Sequence, residues 1–487
     1  MSDTDTIEVQ PRPCWIAGHA EQAEHTLTVY HPYDGTEVAE VAVPDADQVE
    51  RAVAAAAGVF RSFAASPAHV RATALGRIAE LLTARAEEVA ETITAENGKP
   101  LVWADVEVRR AVATFRFAAE ESRRLVGDLQ RLDTDADGEN RLAVVRRRAR
   151  GPVLAISPFN FPLNLVAHKV APAIAVGAPV IVKPASATPL TALLLGEILA
   201  EAGLPDGAFS VLPVAGERMR SLVADPRLPV ISFTGSTSVG WSIADAAPRK
   251  QIVLELGGNS AAIVCPDWVS DTDLDHAAER IALFGNYQAG QSCIAVQRVI
   301  VHRDVAERFV PRLVAAVRGL RTGDPHDPEV EVGPLIDEAA ATRVEKWIGE
   351  AVSAGAELLT GGTREGTSIR PTVLANVPDD SSVVRQEVFG PVLVVSVVDS
   401  VAEAFVQANA TDYGLQAGVF THDVTTAFQA AASIDVGGVV IGDVPSYRAD
   451  QMPYGGVKGS GTGREGVRSS MLEYTQDQVL VLTNVAL

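Results

Sequence analysis

The spacing of apolar and polar positions changes character along the 487-residue chain. Residues 46–63 and 68–96 are alanine-rich with charges three and four apart, which predicts two helices, the second closed by Asn97-Gly98. Helical spacing resumes over 103–125, so the first part of the chain reads as helical. Residues 128–140 are polar and read as a loop, and 142–148 alternate weakly, as a strand does. From Gly151 short apolar runs take over. Val153-Leu154-Ala155-Ile156 stops at Ser157-Pro158, and Pro179-Val180-Ile181-Val182 stops at Lys183-Pro184. A helix over 188–202 follows, then strands at 209–212, 230–233 and 252–256. Fully apolar strands alternating with helices predict a parallel sheet covered on both faces. A second alternation fills 260–444, with strands at 299–302, 392–397 and 439–441 and helices at 304–321 and 338–354; it predicts a second α/β domain. Residues 473–484 alternate like an edge strand, which needs a partner.

Composition narrows this picture. The length exceeds what one core can hold and implies two or three domains. The apolar fraction is 47% but aromatics are only 5%, so the core must be built from Ala, Val, Leu and Ile. A net charge of −21 repels nucleic acid and anionic membrane, while a locally basic site can still hold an anionic ligand. Residues 1–10 are polar and acidic and lack a basic-then-apolar leader pattern. The most apolar stretch, 165–182, is interrupted by His168, Lys169, Pro172 and Pro179, which argues against a membrane span. Three cysteines cannot form a disulfide framework and suit a reducing cytoplasm.

Four local patterns could carry chemistry. The turn Phe233-Thr234-Gly235-Ser236-Thr237-Ser238-Val239-Gly240 follows an apolar strand and opens a helix, where free N–H groups can meet a pyrophosphate. An ordinary strand-to-helix turn with a serine cap has the same pattern. Cys293, between small polar residues in GQSCIA, could be a nucleophile, although an isolated cysteine is more often structural. Cys265 reads as inert core and Cys14 as part of a surface arm. Glu255 lies inside an apolar strand, where burial would raise its pKa and make it a usable base; a structural ion pair competes with that reading. Asn160, fixed between Pro158 and Pro162, could present its amide to an oxyanion or cap a helix. The nine histidines are scattered, with no H-E-x-x-H and no Cys/His pair at ligand spacing, so no metal site is expected. No G-x-S-x-G elbow marks a serine hydrolase.

Seven segments, SPFNFP, VKPAS, FTGSTSVG, LELGGN, GQSCIA, EVFGP and PYGGVKGSGTGREG, occur in order from about residue 10 to the C-terminus. In that order the chain resembles the aldehyde dehydrogenase superfamily. The resemblance implies an α/β fold with two doubly wound domains, one for cofactor and one for catalysis, and a small β oligomerisation segment. It implies cofactor binding by 1–126 and 151–257, catalysis by 258–446, and oligomerisation and closure by 127–150 and 447–487. It makes Cys293 the nucleophile, Glu255 the base for a hydrolytic water, and Asn160 with the Cys293 N–H the oxyanion hole. Ile156, Ser157, Pro158 and Leu256 would line a cleft for NAD or NADP. Lys183 would hold the adenosine ribose, Gly235, Ser236 and Gly240 the pyrophosphate, and Glu387 and Phe389 the nicotinamide end.

Departures from the family pattern refine these expectations. Ser186 stands where many NAD-preferring relatives carry a glutamate that repels a 2′-phosphate, so NADP should be accepted. A glutamate at 255 points to hydrolysis rather than transfer to coenzyme A. The stretch ISPFNFPLNLVAHKVAPAIAVG and the ending GVKGSGTGREG look most like the lactaldehyde and phosphonoaldehyde branch. Arg110 and Arg448 could bind the anionic group of a small aldehyde, or be surface or interface arginines. Phe161 and Ser292 stand where phosphonoacetaldehyde enzymes tend to be basic, which argues against a dedicated phosphonate site. The implied partners are a small aldehyde and further copies of the chain, as dimer or tetramer. Two other readings compete: a cofactor-free cysteine hydrolase or acyltransferase, and a non-catalytic binding protein on the same fold.

Overall fold

The apolar runs after residue 151 become the parallel centre of an eight-stranded sheet. A computed structural model describes residues 10–485; what was expected of residues 1–9 and 486–487 lies outside them. In spatial order the central strands are Phe209–Val211, Val180–Lys183, Val153–Ile156, Val230–Thr234 and Gln251–Glu255, all parallel. The chain builds outward from Val153–Ile156 in one direction, then returns to its other side. That reversal leaves a crevice beyond the carboxyl ends of the strands, the usual ligand position in an open α/β sheet. The central strands are buried on both faces, which is why they show no alternation.

A second, seven-stranded sheet runs Glu357–Thr360, Thr372–Ala375, Val392–Val398, Val296–His302, Ser260–Val264, Gln416–Phe420 and Gly438–Ile441, parallel except at its first strand. Cys293 and Phe389 lie just ahead of two of its strands, Val296–His302 and Val392–Val398. Segments leading into the second sheet therefore face the carboxyl ends of the first. A third sheet joins Thr475–Thr483, Arg141–Ala149 and Asp128–Arg131 in antiparallel order. The alternating tail is thus an edge strand, and its partner within the chain is Arg141–Ala149. No helix among the described residues is long and apolar enough to cross a membrane.

Four expectations need correction. The first part of the chain is not wholly helical, because Cys14–Ile16, His19–Glu21, His25–Tyr30 and Glu37–Val43 are strands. Cys14 is not in a surface arm: its strand docks on Phe209–Val211 through the Trp15–Val211 pair, and Cys14 is fully buried. Residues 68–96 form two helices, Ala68–Ala84 and Ala86–Asn97, broken at Arg85, whose guanidinium reaches Glu88 at 2.7 Å and Glu197 at 2.9 Å. Neither Gly nor Pro marks that break, and the Glu197 partner comes from a distant helix. Residues 128–131, read as loop, form a strand whose residues are all exposed. With no buried face, its sequence has no period to show.

Candidate active site

Capping chemistry shapes one wall of the cleft. Helix Thr237–Ala246 begins at Ser236, whose side chain makes no capping bond, so the first N–H groups of the helix face the cleft uncapped. Gly235 and Ser236 line the cleft and Gly240 does not. A Cβ at Gly240 would stand 2.3 Å from Leu256 Cδ2, so this glycine serves helix–strand packing rather than direct approach to a ligand. Lys183, at the end of its strand, and Ser186 line the same side, joined by Arg220. Burial lowers the pKa of Lys183.

The cleft holds about 1000 Å3 and runs from these groups to Cys293. Ile156, Ser157, Pro158, Asn160, Glu255, Leu256, Glu387 and Phe389 all line it. Thus every residue expected to bind cofactor except Gly240, and all three expected to act in catalysis, share one cavity. Glu387 accepts the Gly258 N–H at 2.9 Å, and burial pushes its carboxyl up to about 7, against that bond and the charge of Arg343. Phe389 is held at φ 46 and meets Phe159 edge-on, with centroids 5.8 Å apart. A non-glycine residue held there carries backbone strain, and such residues cluster at functional sites. Phe159 supplies an aromatic wall to the cleft.

Cys293 follows a strained segment. Gln288, Ala289 and Gly290 all have positive φ, at 52°, 53° and 69°. Gln288 donates to the Asn160 carbonyl, and Asn160 Nδ2 donates to the Gln291 carbonyl at 2.9 Å. One amide hydrogen of Asn160 is thereby committed, and the second is left for an oxygen in the cleft. The Asn160 loop is braced by Asn97, which donates to the Phe159 carbonyl at 2.8 Å, and by Glu107, which accepts the N–H groups of Leu163 and Asn164, each at 2.9 Å. Cys293 Sγ lies 3.0 Å from the Tyr454 hydroxyl. Burial pushes its thiol up to about 12, while Tyr454 and the charge of Arg448 partly oppose the shift.

Glu255 ends its strand 3% exposed, and neither carboxyl oxygen has a hydrogen-bond partner in the protein. Burial, then the charge of Glu465, raises its pKa well above the carboxylate range; Arg448, Lys169 and Arg464 oppose this. It is therefore not the structural ion pair that competed with the base reading. That role falls to Glu465, which accepts from Lys169 at 3.1 Å and Arg448 at 2.8 Å. Burial pushes Glu465 up, but the two cations more than offset it and hold it below the usual carboxylate range.

The substrate candidates are placed differently from expectation. Neither Arg110 nor Arg448 lines the cleft. Arg110 pairs with Asp450 at 2.8 Å, and Asp450 also meets His168 Nε2 at 3.0 Å and Asn164 Nδ2 at 3.2 Å. Arg448 is no surface arginine: its guanidinium carbon stacks 3.9 Å over the Tyr454 ring, one nitrogen holds Glu465, and its Nε is buried without a partner. Both guanidinium groups already face carboxylates, so simple bidentate capture by an open pair is not what the fold presents. Phe161 lies under Lys99 Nζ at 4.1 Å and Ser292 is buried; neither lines the cleft. Tyr454, Lys169, Glu465 and Glu107 escaped the sequence reading. Only a buried charge in an apolar run, such as Lys169 within 165–182, could have flagged one of them.

With this geometry in place, likeness to known proteins becomes specific. The aldehyde dehydrogenase family model matches residues 18–480, and the chain belongs to that family. It is 40% identical over 480 residues to the 3-sulfolactaldehyde dehydrogenase of Priestia aryabhattai, covering 98% of this chain and 99% of that one. The crystal structure of aldehyde dehydrogenase 21 from Physcomitrella patens, in complex with the reaction product succinate, matches with a TM-score of 0.96 and 43% identity over 98% of this chain and 99% of that one. An NADP-dependent glyceraldehyde-3-phosphate dehydrogenase from Bacillus halodurans, complexed with NADP, matches with a TM-score of 0.93 and 34% identity over 98% of this chain and all of that one.

Proposed function

We propose that the chain oxidises a small polar aldehyde to its carboxylate, with NAD or NADP as hydride acceptor and water as the oxygen donor. The observation that carries this reading is the convergence of Cys293, Asn160 and Glu255 on the cleft that also holds the open helix terminus at Ser236. Cofactor-free hydrolysis would leave that terminus, Lys183 and Glu387 without a task. When bound, NAD or NADP supplies the acceptor for the aldehyde hydride. Cys293, having lost its thiol proton to water, adds as the thiolate to the aldehyde carbon, and the free Asn160 amide hydrogen with the Cys293 N–H meets the developing oxyanion. Loss of hydride leaves a thioester on Cys293. Glu255, a stronger base when ionised than an ordinary carboxylate, takes a proton from the water that cleaves the thioester. Residues 1–126 and 151–257 would serve the cofactor and 258–446 the chemistry. Residues 127–150 and 447–487 would close the site and pair subunits, with Gly461–Thr462 contributing a strand to the first sheet.

Self-association is supported by the tail strand, where Val479, Leu480, Val481 and Leu482 are 38–57% exposed on a sheet edge. Sedimentation should give a dimer or tetramer; a monomer would refute the pairing. Three free cysteines fit a reducing cytoplasm.

Ser186 and Arg220 support use of NADP, since neither repels a 2′-phosphate. The ratio of kcat/KM for the two cofactors should stay within about a hundredfold, or about 2.7 kcal/mol. Ser186→Glu should move it toward NAD by at least about tenfold. A wild-type NAD preference beyond a hundredfold would contradict the assignment.

The reading extends to small polar aldehydes that carry an anionic group, supported by the likeness to a 3-sulfolactaldehyde dehydrogenase and by the charge of Arg448, which acts on Cys293 from outside the cleft. Kinetics with lactaldehyde, succinic semialdehyde, 3-sulfolactaldehyde and glyceraldehyde-3-phosphate test it. Arg448→Gln, and less strongly Arg110→Gln, should raise KM for the anionic aldehydes and spare lactaldehyde, since each removes a positive charge behind the cleft wall. Equal effects on both kinds would remove the anion-binding role, and no cofactor reduction with any aldehyde would overturn the function.

A further inference from the structure

Spacing along the chain shows no metal-ligand set, yet the fold assembles one away from the cleft. His31 follows the strand His25–Tyr30, whereas Asp324 and His326 lie in the segment after helix Arg303–Gly319. One ligand atom from each of the three lies within 4.8 Å of the others. None of the three lines the cleft.

His31 carries the case. It is 6% exposed, and its Nδ1 lies 2.9 Å from the Ala95 carbonyl. A carbonyl can only accept, so Nδ1 bears the proton and Nε2 presents a lone pair. That Nε2 is buried with no hydrogen-bond partner. A ring whose far N–H is fixed by a carbonyl, leaving the other nitrogen as donor, is the usual arrangement of a metal-binding histidine. His326 stands edge-on to it, with ring centroids 5.3 Å apart. Asp324 Oδ1 is 3.3 Å from His326 Nδ1, and Glu91 Oε2 is 3.9 Å from His326 Nε2. Donors around a tetrahedral zinc lie about 3.3 Å apart, so closure needs movements of about 1 Å. The side chains of Asp324 and His326, 55% and 44% exposed, have that freedom. The backbone beneath them is fixed: Leu101 donates its N–H to the Pro325 carbonyl at 3.0 Å, and Trp103 Nε1 donates to Glu331 at 2.9 Å.

We propose that His31, Asp324 and His326 form a structural site for a borderline divalent cation of the zinc type, with water completing the set. Two imidazoles and a carboxylate match that class of metal better than calcium or magnesium. The ion ties the amino-terminal region to the segment 320–336. That segment also fixes Gln291, which donates to the Pro334 carbonyl at 3.2 Å and accepts the Ile336 N–H at 2.9 Å. None of the three ligands lines the cleft, so the role assigned to the ion is stabilising.

Calorimetric titration of chelator-treated full-length protein with zinc tests this, alongside cobalt titration read by visible absorption. Alkylating Cys293 beforehand removes thiol binding from the measurement. The expected result is one zinc per chain, a raised Tm, and affinity reduced at least about tenfold in His326→Ala and Asp324→Asn. His31→Gln should behave alike, and the two surface variants decide the matter if it folds poorly. His326→Ala should retain kcat. Absence of saturable binding below millimolar zinc, loss of binding on alkylation, or binding unchanged in both surface variants would overturn the proposal.

Discussion

Replacing Cys293 by alanine is expected to lower aldehyde-dependent cofactor reduction by at least about 10⁴-fold, because covalent catalysis cannot start without its sulfur. That loss corresponds to about 5.5 kcal/mol of transition-state stabilisation. Cys265→Ala and Cys14→Ala should retain the activity, since both thiols are buried in core away from the cleft. Burial also dictates a pH signature for Cys293 in the cofactor-free protein. Its thiol is pushed up to about 12, so the thiolate fraction rises with pH throughout the working range. Alkylation by iodoacetamide should therefore accelerate about tenfold per pH unit between roughly pH 7 and pH 9. A plateau near pH 7 would show a thiolate already formed, contrary to the surroundings of Sγ. Alkylation followed by peptide mapping identifies the site directly.

Glu255→Gln is expected to separate the two halves of the reaction. The amide cannot accept a proton from water, so steady-state turnover should fall by about 10²- to 10⁴-fold. Hydride transfer precedes that step, and the first turnover should survive as a burst of about one reduced cofactor per active site. Loss of burst and turnover together would move Glu255 to an earlier step, such as activation of Cys293. Retention of full turnover would remove it from the mechanism. Because the resting carboxyl is held above the usual range by burial and by Glu465, wild-type deacylation should quicken as pH rises through its pKa. In Glu255→Gln that dependence should vanish.

How much of this was legible in the residues depended on whether the signal was local. Val153–Ile156 and Val180–Lys183 announce buried parallel strands because both faces are covered. Their terminating Ser157-Pro158 and Lys183-Pro184 announce the cleft rim. Cys14–Ile16 is too short to show a period, and its place is set by a partner nearly two hundred residues on. The break at Arg85 likewise depends on Glu197. At the site, the local patterns of Cys293, Glu255 and Asn160 each left a structural role open, and the ordered resemblance to a known family set the three apart. Tyr454 and Glu465 did not stand out, since a tyrosine and a glutamate in a glycine-rich loop look like surface until the fold buries them. Arg110 and Arg448 show the reverse failure: their charge was visible, but the carboxylates that claim it, Asp450 and Glu465, were not. The metal-ligand set is the extreme case, with ligands nearly three hundred residues apart.

The most direct test of a thioester on Cys293 is the mass of Glu255→Gln protein quenched after a single turnover with succinic semialdehyde and NADP. The expected result is an acyl adduct that adds the substrate's mass less two hydrogens, one leaving as hydride to the cofactor and one as the thiol proton, confined to the peptide bearing Cys293 and formed only when cofactor is present. Reduced cofactor released with no adduct on Cys293, or an adduct on any other residue, would contradict it.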